Sequence, residues 1–129
     1  MPATVPEGWH TVTPRIIARD TEGLVAFLQR VFGATGEFRA EMPSEMRLGD
    51  SLIMVSGAEQ RDPMPAFLYV YVDDVDATFQ RALEAGADSL EEPRNVPYGD
   101  RRGMVSDSWA TFGRSLRAHR PSMSLDAWR

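Results

Sequence analysis

The sequence predicts a single α+β domain of 129 residues. Two amphipathic helical stripes are legible. Each follows an extended segment rich in β-branched or aromatic residues and precedes several short strand candidates, so the order β-α-β-β-β occurs twice. An apolar content of 43% furnishes a core, and 26% charged residues argue against a largely disordered chain. The two halves divide the domain into a first module of about residues 10–60 and a second of about 64–118.

In the first module, residues 11–19 form the extended segment. Leu24, Phe27, Leu28, Val31 and Phe32 then follow the i, i+3, i+4, i+7, i+8 spacing of one helical face. Asp20 or Thr21 supplies the N-cap and Gly33 the terminator. Strand candidates follow at 35–41, 44–48 and 51–56, the last two joined by Gly49-Asp50, which suits a two-residue hairpin turn with glycine first. In the second module, residues 66–72 are extended, and Val75, Phe79, Ala82 and Leu83 form a helical stripe between Asp73-Asp74 and Gly86. Strands are expected at 88–91 and 103–106, separated by a polar loop over 92–102. Aligning Leu24 with Val75, Leu28 with Phe79 and Phe32 with Leu83 gives an internal offset of 51 residues.

Composition excludes several chemistries. There is no cysteine, there are two histidines, and all 14 basic residues are arginine, so disulfides, thiolate nucleophiles, zinc-finger or iron–sulfur sites and Schiff-base lysines are ruled out. A net charge of −5 gives no global attraction to nucleic acid or to anionic membranes. No apolar run reaches the roughly 20 residues needed to span a bilayer. Met1-Pro2-Ala3-Thr4 lacks a charged-then-apolar export signal, so a cytoplasmic protein is expected.

Two passages carry a resemblance. Leu68-Tyr69-Val70-Tyr71-Val72-Asp73-Asp74-Val75-Asp76-Ala77-Thr78-Phe79, continuing to Ala85-Gly86-Ala87 and then Pro97-Tyr98-Gly99-Asp100-Arg101, resembles the second module of the vicinal oxygen chelate superfamily. This is the glyoxalase/bleomycin resistance/dioxygenase superfamily, and the passage is most similar to its PhnB-like branch. Phe32-Gly33-Ala34 and Glu45-Met46-Arg47-Leu48-Gly49-Asp50-Ser51 agree with the first module, so the resemblance covers about residues 10–109. It implies two paired βαβββ modules whose strands curl into a cup-shaped sheet, with a small-molecule ligand inside and a homodimer as the assembly. The scaffold hosts many reactions, so the resemblance alone specifies none.

In metal-dependent members, the first strand of each module offers a His or similar ligand and the fourth offers a Glu. The matching positions here are Thr13, Phe67 and Met54, which do not assemble a divalent-metal site. His10 and His119 fall outside those positions and read as surface residues. No metal and no other cofactor is therefore expected. Side chains alternate along a strand, so Thr13, Arg15 and Ile17 face the implied cavity while Ile16 and Ala18 face the helix. Phe67, Tyr69 and Tyr71 likewise share the cavity face, opposite Leu68, Val70 and Val72. Met54 and Leu52 add soft apolar wall. Tyr98, Asp100 and Arg101 belong to a loop resembling the family's cover over the mouth, where an Asp100–Arg101 ion pair would lock it. Trp109 completes the candidate ligand-binding set.

The pattern changes after Trp109. Residues 1–109 carry 10 Arg against 18 acids, whereas 110–129 carry 4 Arg against one acid. The branch typically continues with Gly-Asn and a strand resembling Val-Trp-Gln-Ile-Ala-Thr, and codons exist for Trp109 to Arg117 that yield that strand after one inserted G. A single-nucleotide deletion is thus hypothesised to have replaced the ancestral strand. On this reading the last strand of module two is lost or degraded and 110–129 is an anomalous basic tail. The alternative is a divergent segment that still forms a strand near residues 112–116.

The resulting expectation is a metal-independent small-molecule binding protein whose ligand lies in an aromatic cup, anchored by Arg15 and carrying an anionic or carbonyl group. The alternative is a lyase, isomerase or dioxygenase with altered metal ligands, or with Tyr98 and Asp100 as acid and base. Neither nucleic acid nor a membrane is expected as a partner.

Overall fold

A computed structural model describes residues 5–59, 61–64, 66–95, 97, 101–107 and 115–119, with backbone alone at 67 and 115–119. The elements run β1 (Arg15–Ala18), α1 (Thr21–Phe32), β2 (Ser44–Leu48), β3 (Ser51–Gly57), β4 (Phe67–Tyr71), α2 (Val75–Glu84), β5 (Asp88–Asn95), β6 (Arg101–Ser106) and β7 (Ser115–His119). They form a mixed α+β fold with two small sheets, ordered β1-β3-β2 and β4-β7-β6-β5.

Both sheets follow one plan. The first strand of each half lies parallel to the last, β1 with β3 and β4 with β7, and the last lies antiparallel to the strand before it, β2 or β6. A single antiparallel bridge between Thr35 and Arg47 marks, beside β2, the place that β5 takes beside β6. The expected strand at 35–41 is reduced to that bridge. Gly36, at φ 119°, turns the chain out of the ladder, and Arg39 N–H donates to Ser44 Oγ at 2.8 Å instead of to a strand.

The helices start where their caps dictate. The Asp20 carboxylate accepts from Gly23 N–H and the Asp74 carboxylate from Ala77 N–H, each bond satisfying an amide that the first turn leaves open. These matching caps lie 54 residues apart (74 − 20), which corrects the offset of 51 obtained from the apolar stripes. The stripe alignment slipped by nearly one helical turn, a shift that helical periodicity tolerates. Gly33 ends α1 in the left-handed conformation. At the β2–β3 turn, Gly49 alone takes a positive φ, 58°, as the first position of a type II′ turn requires.

One apolar cluster joins the halves. Leu24, Phe27, Leu28 and Val31 of α1 meet Ile16 and Ala18 of β1, Met46 of β2 and Ile53 and Val55 of β3. Phe79 and Ala82 of α2 with Val105 of β6 continue the same cluster. Val25, outside the anticipated stripe, is also buried, and α1 contacts α2 as well as its own sheet. Between the helices, the Arg81 guanidinium donates to the Val31 carbonyl at 3.1 Å and to Thr78 Oγ1 at 3.1 Å, serving one of the acceptors left open at the end of α1.

Two further expectations are corrected. Strand β5 extends to Asn95, through much of the expected polar loop, and its register with β6 shifts on both sides of Glu91, near Pro93, which has no N–H for the ladder. The last strand is not lost: β7 lies between β4 and β6 and pairs with both. Its five residues, Ser115-Leu116-Arg117-Ala118-His119, alternate polar and apolar, and its backbone supplies ladder bonds to both neighbours. Among the described residues, no helix is long and apolar enough to cross a membrane.

Candidate functional site

Strand alternation sends one side chain set of the first sheet into the core and leaves the other facing away from the helices. Ile16, Ala18, Met46, Ile53 and Val55 take the core side. Partners in register share a face, so Arg15 stands beside Met54 and Glu45, and Ile17 beside Ser56, on the opposite side.

Where β1 and β3 end, that outer face opens into a cleft of about 380 Å³. Arg15, Ile17 and Ser56 line it together with the segment 39–43, Glu59 and Arg61. Thr21, at the start of α1, reaches the same space.

The chemistry of the cleft centres on Arg15. Its Nε donates to Ser56 Oγ at 2.8 Å. Among the described residues, Arg15 has no ion pair with an acid, and its two Nη atoms have no protein partner. A guanidinium offers a side-on edge through Nε and an end-on edge through the two Nη groups; Ser56 engages the first and leaves the second presented. Arg39 is shared with Glu45 at 3.7 Å, a half-exposed pair worth ~0–1 kcal/mol. Arg61 has no ion pair among the described residues. Glu41 and Glu59 add negative charge to the lining, and Ile17, Ala40, Met42 and Pro43 supply apolar surface.

Of the residues anticipated from sequence and described in the structure, Arg15 and Ile17 line this cleft. Thr13 lies just before β1 and is half-buried, and Met54 is half-buried in β3. Tyr69 and Tyr71 stand on the exposed side of β4, 42% and 48% accessible, with rings 5.6 Å apart in an edge-on arrangement. Leu68 packs against the core cluster, on the side of β4 opposite the exposed Tyr69 and Tyr71. Phe67 belongs to β4, where only its backbone is described. Tyr98, Asp100 and Trp109 lie outside the described residues.

Arg101 is described, and among the described residues its carboxylate partner is Asp76; the expected pair with Asp100 falls outside them. Its Nε and Nη2 donate to the two Asp76 carboxylate oxygens, each at 2.8 Å, and its Nη1 to Asn95 Oδ1 at 3.2 Å. The bidentate bond to Asp76 holds the guanidinium pKa above its ordinary value, and the nearby Asp74 charge adds to that. Arg101 thereby ties the start of β6 to the first turn of α2.

Sequence reasoning missed Arg39, Met42, Glu59 and Arg61. They lie in connecting segments, and no periodicity marks which loop residues the fold gathers at a strand end. Polar residues clustered between strands were the one available signal, and it does not distinguish a wall from a solvated loop.

A family model described as the Glyoxalase/Bleomycin resistance protein/Dioxygenase superfamily matches residues 9–110. An uncharacterised protein of Mycobacterium bovis is 27% identical, with 74% of this chain and 75% of that protein covered. An uncharacterised protein of Mycobacterium tuberculosis H37Rv is also 27% identical, with 74% and 67% covered. Among solved structures, TioX from Micromonospora sp. ML1 superimposes with a TM-score of 0.65 at 24% identity, covering 84% of this chain and 98% of TioX. The fosfomycin resistance protein FosX from Listeria monocytogenes, solved with Mn(II) and a dihydroxypropylphosphonic acid, gives a TM-score of 0.69 at 16% identity, covering 92% and 93%. At these identities the structures establish likeness of fold.

Proposed function

The chain belongs to the glyoxalase/bleomycin resistance protein/dioxygenase superfamily, and from that premise we propose that it is a metal-independent binding protein for a small molecule, held on the sheet faces that point away from the helices. The observation that carries this reading is Arg15: an exposed strand arginine oriented by Ser56, without an acid partner among the described residues, lining a cleft. The exposed Tyr69–Tyr71 pair adds a second surface suited to a planar or apolar group. In the paired-module arrangement that the family resemblance implies, the two outer faces wall a common aromatic cup, and a homodimer is the corresponding assembly.

A superfamily neighbour holds Mn(II), so the donor set matters. Among the described residues, no three of His, Asp and Glu cluster in a way that holds a metal ion. The outer face of the first sheet instead brings a guanidinium beside Met54 and Ser56, and a cation there repels a divalent ion. The enzymatic alternative, a lyase, isomerase or dioxygenase relying on Tyr98 and Asp100, depends on residues outside those described, and the Arg15 cleft favours binding.

Elemental analysis of the purified protein tests the metal claim, and a thermal-shift screen of small organic molecules tests binding. Protein without stoichiometric divalent metal, together with compounds that raise its melting temperature, is the expected result. Stoichiometric metal held by protein side chains refutes the first claim; a screen without stabilising compounds refutes the second.

A further inference from the structure

We propose that the cleft at the ends of β1 and β3 is a monocarboxylate site. In it the end-on Nη edge of Arg15 holds the carboxylate and the apolar body of the ligand lies on Ile17, Met42 and Pro43. This assignment rests on the binding reading above and narrows it to a ligand class and a location.

Three features of the cleft select that class. The first is geometric. Ser56 is more than nine-tenths buried and fixes Arg15 through Nε at 2.8 Å. The two Nη groups then form a planar two-donor fork whose spacing matches the two oxygens of a carboxylate. The second is charge. Arg15 and Arg61 line the same space as Glu41 and Glu59, while Arg39 is paired with Glu45. Two arginines without ion pairs among the described residues can meet a monoanion, whereas the two glutamates oppose a dianion. The third is the apolar share of the wall. Ile17, Ala40, Met42 and Pro43 line the cleft, and Met42 is 58% exposed, placing a flexible thioether side chain where it can close on a ligand. A volume of about 380 Å³ limits the ligand to a small molecule.

Arg61 has no ion pair among the described residues. It is the second cation available to the carboxylate.

Titration of the full-length chain with phenylacetate, followed by backbone amide NMR, tests the assignment. Phenylacetamide serves as the neutral isostere and phenyl phosphate as the dianion. Saturable shifts at residues 15–21, 39–43 and 55–61 with phenylacetate are expected, with weaker binding of phenyl phosphate and none of phenylacetamide. Arg15→Gln is expected to raise the phenylacetate Kd about tenfold or more, because the charge-assisted fork is removed. Arg61→Gln is a second variant with a smaller expected loss, and Arg94→Gln on β5 should bind as the parent does. Equal binding of phenylacetamide, tighter binding of phenyl phosphate, shifts confined to the Tyr69–Tyr71 face, or no shift at millimolar phenylacetate each overturns the carboxylate assignment. The thermal-shift screen is independent of these probes: compounds that stabilise the protein after phenylacetate has failed leave the general binding reading standing.

Discussion

Gly36→Ala offers the sharpest test of how the first sheet ends and the cleft wall begins. Gly36 has a φ of 119°, and a Cβ built there runs into the Glu45 carbonyl oxygen, with Met46 Sδ 3.0 Å away. The carbonyl belongs to β2 and cannot step aside without breaking its ladder. A side chain at a positive φ costs ~1–2 kcal/mol, and overpacking against fixed backbone costs ~1–3 kcal/mol. Together these predict a loss of ~2–5 kcal/mol. Unfolding entropy of ~2.1 cal/mol/K per residue gives ~0.27 kcal/mol/K for a chain of 129 residues, so Tm should fall by roughly 7–18 °C. Gly49→Ala is the matched control: its φ is 58°, but nothing lies within 4 Å of the added Cβ. Only the conformational term applies there, so its loss is ~1–2 kcal/mol and its Tm shift roughly 4–7 °C. Thermal melts of both variants, with urea titrations at neutral pH, measure the difference. Equal shifts for the two would refute the close approach of Gly36 to β2. The Gln29 side chain donates to the Gly36 carbonyl at 2.8 Å, so displacement of this residue should also loosen segment 39–43 and weaken any ligand bound in the cleft.

Other consequences can be checked with the same preparations. Asp20→Ala and Asp74→Ala each remove one N-cap acceptor and should cost ~1 kcal/mol apiece by urea unfolding. Because the caps do not share partners, the double variant should lose close to the sum. Arg101→Gln should accelerate amide exchange in β6 and in the first turn of α2, where its guanidinium binds Asp76, while leaving α1 unchanged. The Arg101 pKa is raised by folding, so its contribution is present below the ordinary guanidinium value and is lost only as pH rises through the higher folded value. Its ionisation therefore gives no stability change between pH 6 and pH 9, roughly six to three units below the ordinary pKa. Truncation before residue 115 should abolish cooperative folding of the second module, because β7 is the strand that both β4 and β6 pair with; a truncated chain that melts as the parent does would show that 115–119 is dispensable.

Local chemistry made much of the fold legible in the sequence. Strand β2 coincides with the expected 44–48, and β3 differs from the expected 51–56 by one residue, since the Gly-Asp turn and the flanking apolar alternation point to the same register. The helix caps are equally local. What the sequence hid depends on distant partners. Val25 lies at the edge of the apolar stripe and is buried, in a helix that contacts α2 as well as its own sheet. The segment 115–119 alternates polar and apolar residues over only five positions, too short a run to mark a central strand, yet its backbone is paired on both sides. For the site, alternation identified Arg15 on the outward face of β1, but nothing local in residues 39–43 or 59–61 announced that they converge on it. Loop paths are set by the ends they join, and that information resides in the assembled sheet.

The strand order also constrains how the chain is made. Each half places its last-synthesised strand in the interior of its sheet, β3 between β1 and β2, and β7 between β4 and β6. Neither β1 and β2 nor β4 and β6 can hydrogen-bond to one another in the native order, so each sheet must wait for its final segment to leave the ribosome. Folding of N-terminal portions during translation, at roughly 5–20 residues per second, is then stepwise. The first sheet can complete its pairing after β3 emerges, while the edges of β4 and β6 remain open until β7 follows. That interval is when a nascent chain is most exposed to strand exchange with a neighbour, and it makes the composition of residues 107–119 a determinant of yield as well as of stability.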